Sequence, residues 1–183
     1  MNWFNSIIVL AATFLVVFFA AVFNAPRAWL GVQIDFLPSL LVCAALNYGL
    51  GHVTLVAVAG GLLFDSLSAN PLGVSMLPLF LAGFVIARYR SLILRESLFA
   101  QVTLGLGASA AVPVLTLLLL LNAETQPLVS WFSLWQWVFT TAVGAAVTPL
   151  WFWFFDRVHR AVNYRPWGEV TFRPDREIKR GRQ

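Results

Sequence analysis

Whole stretches of about 20 residues in this chain carry no charged side chain, and nothing else in it constrains the fold so strongly. A helix of that length crosses a hydrocarbon core roughly 30 Å thick. Its backbone polar groups are satisfied internally, where no water is present. The runs are continuously apolar rather than alternating, which argues against a membrane β-barrel. Only 11% of the 183 residues are charged and 60% are hydrophobic. The expected fold class is therefore all-α, a polytopic integral membrane protein.

Six spans are predicted, two of them forming a short helical hairpin. The first covers 6–23, has no basic flank and ends at Asn24-Ala25-Pro26. An uncleaved helix is preferred there over a signal peptide. Residues 36–67 are too few for two full spans and too many for one. Asn47-Tyr48-Gly49-Leu50-Gly51 falls in the middle as turn chemistry, predicting short helices over 36–48 and 52–64. Thinning of the bilayer or burial among neighbours would accommodate them. Pro38 falls in the first turn of the earlier one, where its missing N–H costs little. The remaining spans are 74–87 (or 89), 98–121 with Pro113 as an expected kink, and 130–155. Trp131, Trp135 and Trp137 mark one end of the last span and Trp151 and Trp153 the other, as an aromatic belt does.

Charge gives the orientation. Eight of the twelve basic residues lie at or after Arg157. Six spans put both termini on one side, together with Arg88, Arg90 and Arg95, and the positive-inside rule makes that side cytoplasmic. The domain reading is a six-helix transmembrane unit over 1–156 and a basic cytoplasmic tail over 157–183, carrying Arg157, Arg160 and Arg165. A re-entrant hairpin would give four spans with the termini still together, and one crossing arm would give five.

Between membrane helices, small residues provide close packing. Pairs at i, i+4 occur at Ala57 with Gly61, Gly105 with Ser109, Gly107 with Ala111, and Gly144 with Thr148. They predict that the third, fifth and sixth helices have a small face against protein. No catalytic, metal or cofactor site is predicted. The chain holds one cysteine and two distant histidines, with no phosphate-binding glycine loop and no nucleophile beside a base. Asp65 precedes the turn signal Asn70-Pro71-Leu72-Gly73. It is expected at a helix end near the outer interface, bonded to local backbone or touching a partner, with no charge buried in the membrane.

The order Leu37-Pro38-Ser39-Leu40, Tyr48-Gly49, Gly60-Gly61-Leu62-Leu63-Phe64-Asp65 and Pro71-Leu72-Gly73 resembles the rod shape-determining MreD family of bacteria. The pattern covers about residues 30–90. The resemblance implies a cell inner-membrane component of the elongasome, a scaffold rather than an enzyme, with a fold similar to the substrate-binding subunits of energy-coupling-factor transporters. Implied partners are MreC, and directly or indirectly MreB, RodA and a penicillin-binding transpeptidase of peptidoglycan synthesis, so that the function is maintenance of cell shape. The motif positions matched are Gly61, Asp65, Pro71 and Gly73, with Gly60 and Asn70 beside them as further candidates for partner contact.

The basic tail is expected to hold anionic lipid at the cytoplasmic face, diluted by Asp175 and Glu177. Asp156 and Arg160 are spaced to pair at i, i+4. No stacking platform accompanies the charge, so nucleic acid is not expected as a partner. The alternative function is a small-molecule-binding subunit of a vitamin-type transporter. Its candidate polar groups are Asn47, Asp65, Asn70, Gln101 and Asn122, with Trp131 as a wall.

Overall fold

An apolar run without internal turn residues has one economical conformation in lipid, and the chain adopts it repeatedly. The computed structural model describes residues 3–22, 31–32, 34–68, 71–93, 97–122 and 131–162. Asn70, Arg95, Arg165 and the tail beyond residue 162 lie outside the described residues. Most of the described residues are helical, and none of them is in a strand.

The helices are α1 (Trp3–Val22), α2 (Leu37–Asn47), α3 (Leu50–Leu67), α4 (Met76–Tyr89), α5 (Leu98–Asn122) and α6 (Trp131–Val162). A 3₁₀ turn, Arg90–Leu92, follows α4. Helices α1, α3, α5 and α6 are long and apolar enough to cross a membrane. At 1.5 Å per residue α2 is about 16 Å long and α4 about 21 Å, both shorter than a hydrocarbon core.

The short α2 lies at the centre. Ten of its eleven residues, Leu37 to Leu46, are buried. It packs against α6, α4 and α5, with α1 and α3 also touching it. A helix that is apolar all round must be enclosed all round. Neighbouring helices, rather than bilayer thinning, shelter this one.

The expected second arm of the hairpin, 52–64, is longer in the structure. It begins at Leu50 and runs to Leu67 through a π-helical segment, Val56–Gly60. Its buried positions repeat every four residues: His52, Val56 and Gly60 in one row, and Val53, Ala57, Gly61 and Asp65 in the next. In an ideal α-helix a four-residue repeat drifts by about 40° per step. The wider π turn takes up that drift and keeps both rows facing protein. The turn before α3 is equally specific. Gly49 has φ 85°, a conformation glycine adopts freely, and a Cβ there would come 2.5 Å from Arg90 Nη1.

Helix α1 presents a stripe of Val9, Ala12, Thr13, Val16 and Val17 to the bundle, the 3-and-4 spacing of one helix face. Its other faces expose Phe4, Ile7, Leu10, Phe14, Leu15, Phe18 and Phe19. On a water-soluble surface an apolar area of that extent would demand a cover. It is compatible with lipid.

Asp35 fixes the entry to α2. Its Oδ1 accepts the Leu37 N–H at 2.9 Å. Burial pushes its carboxyl up from 3.8 to about 6, against the smaller lowering effect of the Leu37 bond. The folded chain therefore holds this proton more tightly than the unfolded chain. Between 3.8 and about 6, stability is expected to fall as pH rises and to stay low above that range. Asp35→Asn should flatten this part of the profile, which melting of the purified protein across pH would reveal.

Candidate functional site

The GLLFD–PLG segment forms a clamp between α3 and α4. Asp65 Oδ2 accepts the backbone N–H of Gly73 at 2.9 Å and of Ser75 at 3.0 Å, while Oδ1 accepts the Ser75 hydroxyl at 2.5 Å. Asp65 is only 1% exposed. The expectation of an interfacial carboxylate bonded to nearby backbone is thus met in its partners but corrected in its burial. A buried carboxylate is tolerable because three donors surround it and because the start of α4, with its partial positive charge, follows directly. Ser75 is the N-cap of α4, but its side chain caps nothing and turns back to Asp65.

The neighbouring motif residues explain themselves geometrically. A Cβ on Gly61 would lie 2.8 Å from Met76 Cγ and 2.9 Å from its N and Cα, so only glycine lets the two helix ends approach. Gly73 has φ 92° and offers its N–H to Asp65. Gly60 admits Leu37 and Thr13 to within 2.8 Å and 3.1 Å of where a Cβ would stand. Pro71 is exposed, and its carbonyl accepts the Val74 N–H at 3.3 Å. Leu67 and Leu72 flank the clamp and are 61% and 71% exposed.

The small-residue pairs divide. Gly105 and Ser109 of α5 meet Gly144 and Thr148 of α6. A Cβ on Gly105 would overlap Thr148 Oγ1, and one on Gly144 would overlap Ser109 Oγ. Ser39 joins this seam from α2, donating to the Gly144 carbonyl at 3.0 Å, which also receives Thr148 Oγ1 at 2.8 Å. Ala57 is buried in α3. Gly107 and Ala111, by contrast, are exposed, and a Cβ on Gly107 would touch nothing. They lie on the outer side of α5, where small residues make no contact within the chain.

The other end of the bundle gathers polar groups. Arg88 lies in the last turn of α4, Arg90 opens the 3₁₀ turn after it, and Arg157 and Arg160 lie near the end of α6, all exposed. The Tyr48 ring lies 5.9 Å from Phe155, 6.2 Å from His159 and 5.0 Å from His52 between ring centres. Ser6 Oγ comes within 3.4 Å of His52 Nε2. Burial, above all, pushes the Tyr48 phenol up to about 12, so it is neutral at pH 7. Between this turn, the start of α5 and the end of α6 lies a cleft of about 470 Å³. Tyr48, Phe152, Trp153 and Phe155 form its aromatic walls, and Asn47, Gln101, Asp156 and His159 line it with polar atoms. The expected Asp156–Arg160 pair takes another form: Arg160 Nε donates to the Asp156 backbone carbonyl at 3.2 Å. Among the described residues no cation pairs with the Asp156 carboxylate.

Sequence reasoning overlooked Ser75 and Ser39. Serine directly before an apolar run is an N-cap signal and would have flagged Ser75. A lone Ser39 within an apolar helix carries no such signal, because its acceptor is 105 residues away. The cleft has no linear signature as a unit, although Asn47 and Gln101, two of the expected polar groups, both line it. Of the other candidates for a small-molecule site, Asn122 is exposed at the end of α5 and Trp131 is exposed at the start of α6. Compared with protein-family models, curated proteins and solved structures, this chain matches none.

Proposed function

We propose that the chain is an MreD-like membrane scaffold with six spans and both termini in the cytoplasm of a bacterial cell. It binds MreC and helps couple the MreB cytoskeleton to peptidoglycan synthesis by RodA and a transpeptidase, without chemistry of its own. The observation that carries this reading is the clamp. Gly61, Asp65 and Gly73, residues of the resemblance, converge on one junction, beside which Leu67 at the end of α3 and Leu72 are exposed. Apolar side chains displayed beside a bonded helix junction suit recognition of another polypeptide. The arginines lie at the opposite ends of α4 and α6, which suits a cytoplasmic face holding anionic lipid.

Co-purification of MreC from membranes tests the reading. Leu67→Ser with Leu72→Ser is expected to reduce the MreC recovered while leaving the melting temperature of the isolated protein near its original value. Full MreC recovery from this variant would remove the assigned interface. The alternative, a transporter subunit that binds a small molecule, draws support from the cleft. Asp65, one of its candidate ligands, is already committed to three bonds within the chain.

A further inference from the structure

We propose that the cleft beside Tyr48 binds the ammonium group of a phosphoethanolamine headgroup, with the Asp156 carboxylate and the surrounding aromatic rings as its receptor. This goes beyond the scaffold reading and does not depend on it; failure to bind MreC would leave it untouched.

The lining of the cleft contains one carboxylate and no lysine or arginine. The Asp156 carboxylate is the lining group that attracts a cation. Four aromatic residues, Tyr48, Phe152, Trp153 and Phe155, share the walls. Aromatic faces attract an ammonium through their quadrupole, and several rings around one carboxylate form a recurring receptor for organic amines. Asp156 spends its backbone carbonyl on Arg160 but keeps its side chain open to the cleft.

Position then narrows the ligand. The cleft lies at the arginine end of the bundle, where apolar helices finish and exposed cations begin. Leu98, Pro149 and Phe152 give it an apolar portion, which suits a ligand attached to an acyl chain. Arg90 lies against Gly49, the residue after Tyr48, and offers a guanidinium to a phosphate. A zwitterion carries both an amine for the Asp156 carboxylate in the lining and a phosphate for a guanidinium held next to Gly49. A volume of about 470 Å³ is within the usual range for small-ligand sites.

The test uses the full chain in mixed micelles of phosphatidylethanolamine and phosphatidylglycerol, with retained lipid counted by native mass spectrometry. Phosphatidylethanolamine is expected to be retained preferentially, and Asp156→Asn to weaken its retention about tenfold. Trp153→Leu, a change at a second exposed position, should weaken it in the same direction. Both variants should melt with the original protein. Soluble phosphoethanolamine serves as competitor. It is expected to displace the lipid, and failure to do so at large excess overturns the headgroup as the recognised group. Equal retention of the two lipids, preference for phosphatidylglycerol, or indifference to both substitutions overturns the proposal.

Discussion

Asp65→Ala is expected to lower the stability of the purified chain by about 3–5 kcal/mol, with a melting transition shifted by many degrees in detergent. Each hydrogen bond to a charged acceptor contributes on the order of 1.5–3 kcal/mol, and the contributions overlap rather than add. Asp65 receives three, from Gly73 N, Ser75 N and Ser75 Oγ. Alanine would leave two backbone donors and a hydroxyl without their acceptor at the start of α4. Asp65→Asn should fall between, since its amide keeps one acceptor oxygen but points an N–H₂ group at existing donors. Thermal unfolding followed by tryptophan fluorescence, with size-exclusion recovery as a second readout, decides the order. An alanine variant that melts with the original protein would show that the clamp contributes nothing.

Gly144→Leu is the second large change, expected to cost about 3 kcal/mol or more, or to prevent recovery of folded protein. A Cβ at this position overlaps Ser109 Oγ, lies 2.6 Å from Ser109 Cβ and comes 3.5 Å from Ser39 Oγ. Three helices meet there, so relief requires α5, α6 and α2 to move apart together. Overpacking of a close-packed interior commonly costs about 1–3 kcal/mol, and here backbone rather than a flexible side-chain tip must shift. Gly144→Ala already introduces the clash. It should be partly rescued by Ser109→Gly, giving a favourable coupling in a double-mutant cycle. If the two substitutions simply add, the seam between α5 and α6 is not where Gly144 acts. Gly107→Leu provides the contrast. A Cβ on Gly107 meets nothing within 4 Å, so stability should change little, and only an external partner would register it.

These contrasts show where the sequence was informative. Apolar runs predicted the helices because a backbone in hydrocarbon has few alternatives. The bounds of α5 came within a residue of 98–121 because Asn122 ends an unbroken leucine run. The hairpin was predicted in place, yet its two arms turned out unlike each other. The short α2 is enclosed by protein, while α3 gains length through residues on both sides of the expected arm. Enclosure depends on five other helices, which no local pattern of α2 reports. The small-residue pairs gave another partial reading. Spacing alone marks Gly105 and Gly107 equally, but they point to opposite sides of α5, and which side faces α6 is decided by tertiary packing. Asp65 was legible as the end of a helix. Its burial was not, because its protecting donors come from eight and ten residues further along.

The wide turn at Val56–Gly60 has a consequence for how the length of this helix can vary. A π segment holds one residue more than the α turn it replaces. Deleting a single residue inside it can therefore be absorbed by reverting to ordinary α-helix, with His52 and Asp65 still aimed as before. The same deletion elsewhere in α3 would swing everything beyond it by about 100°, carrying Asp65 away from Gly73 and Ser75. Single-residue deletions in this helix are accordingly tolerable at one site and ruinous at the others.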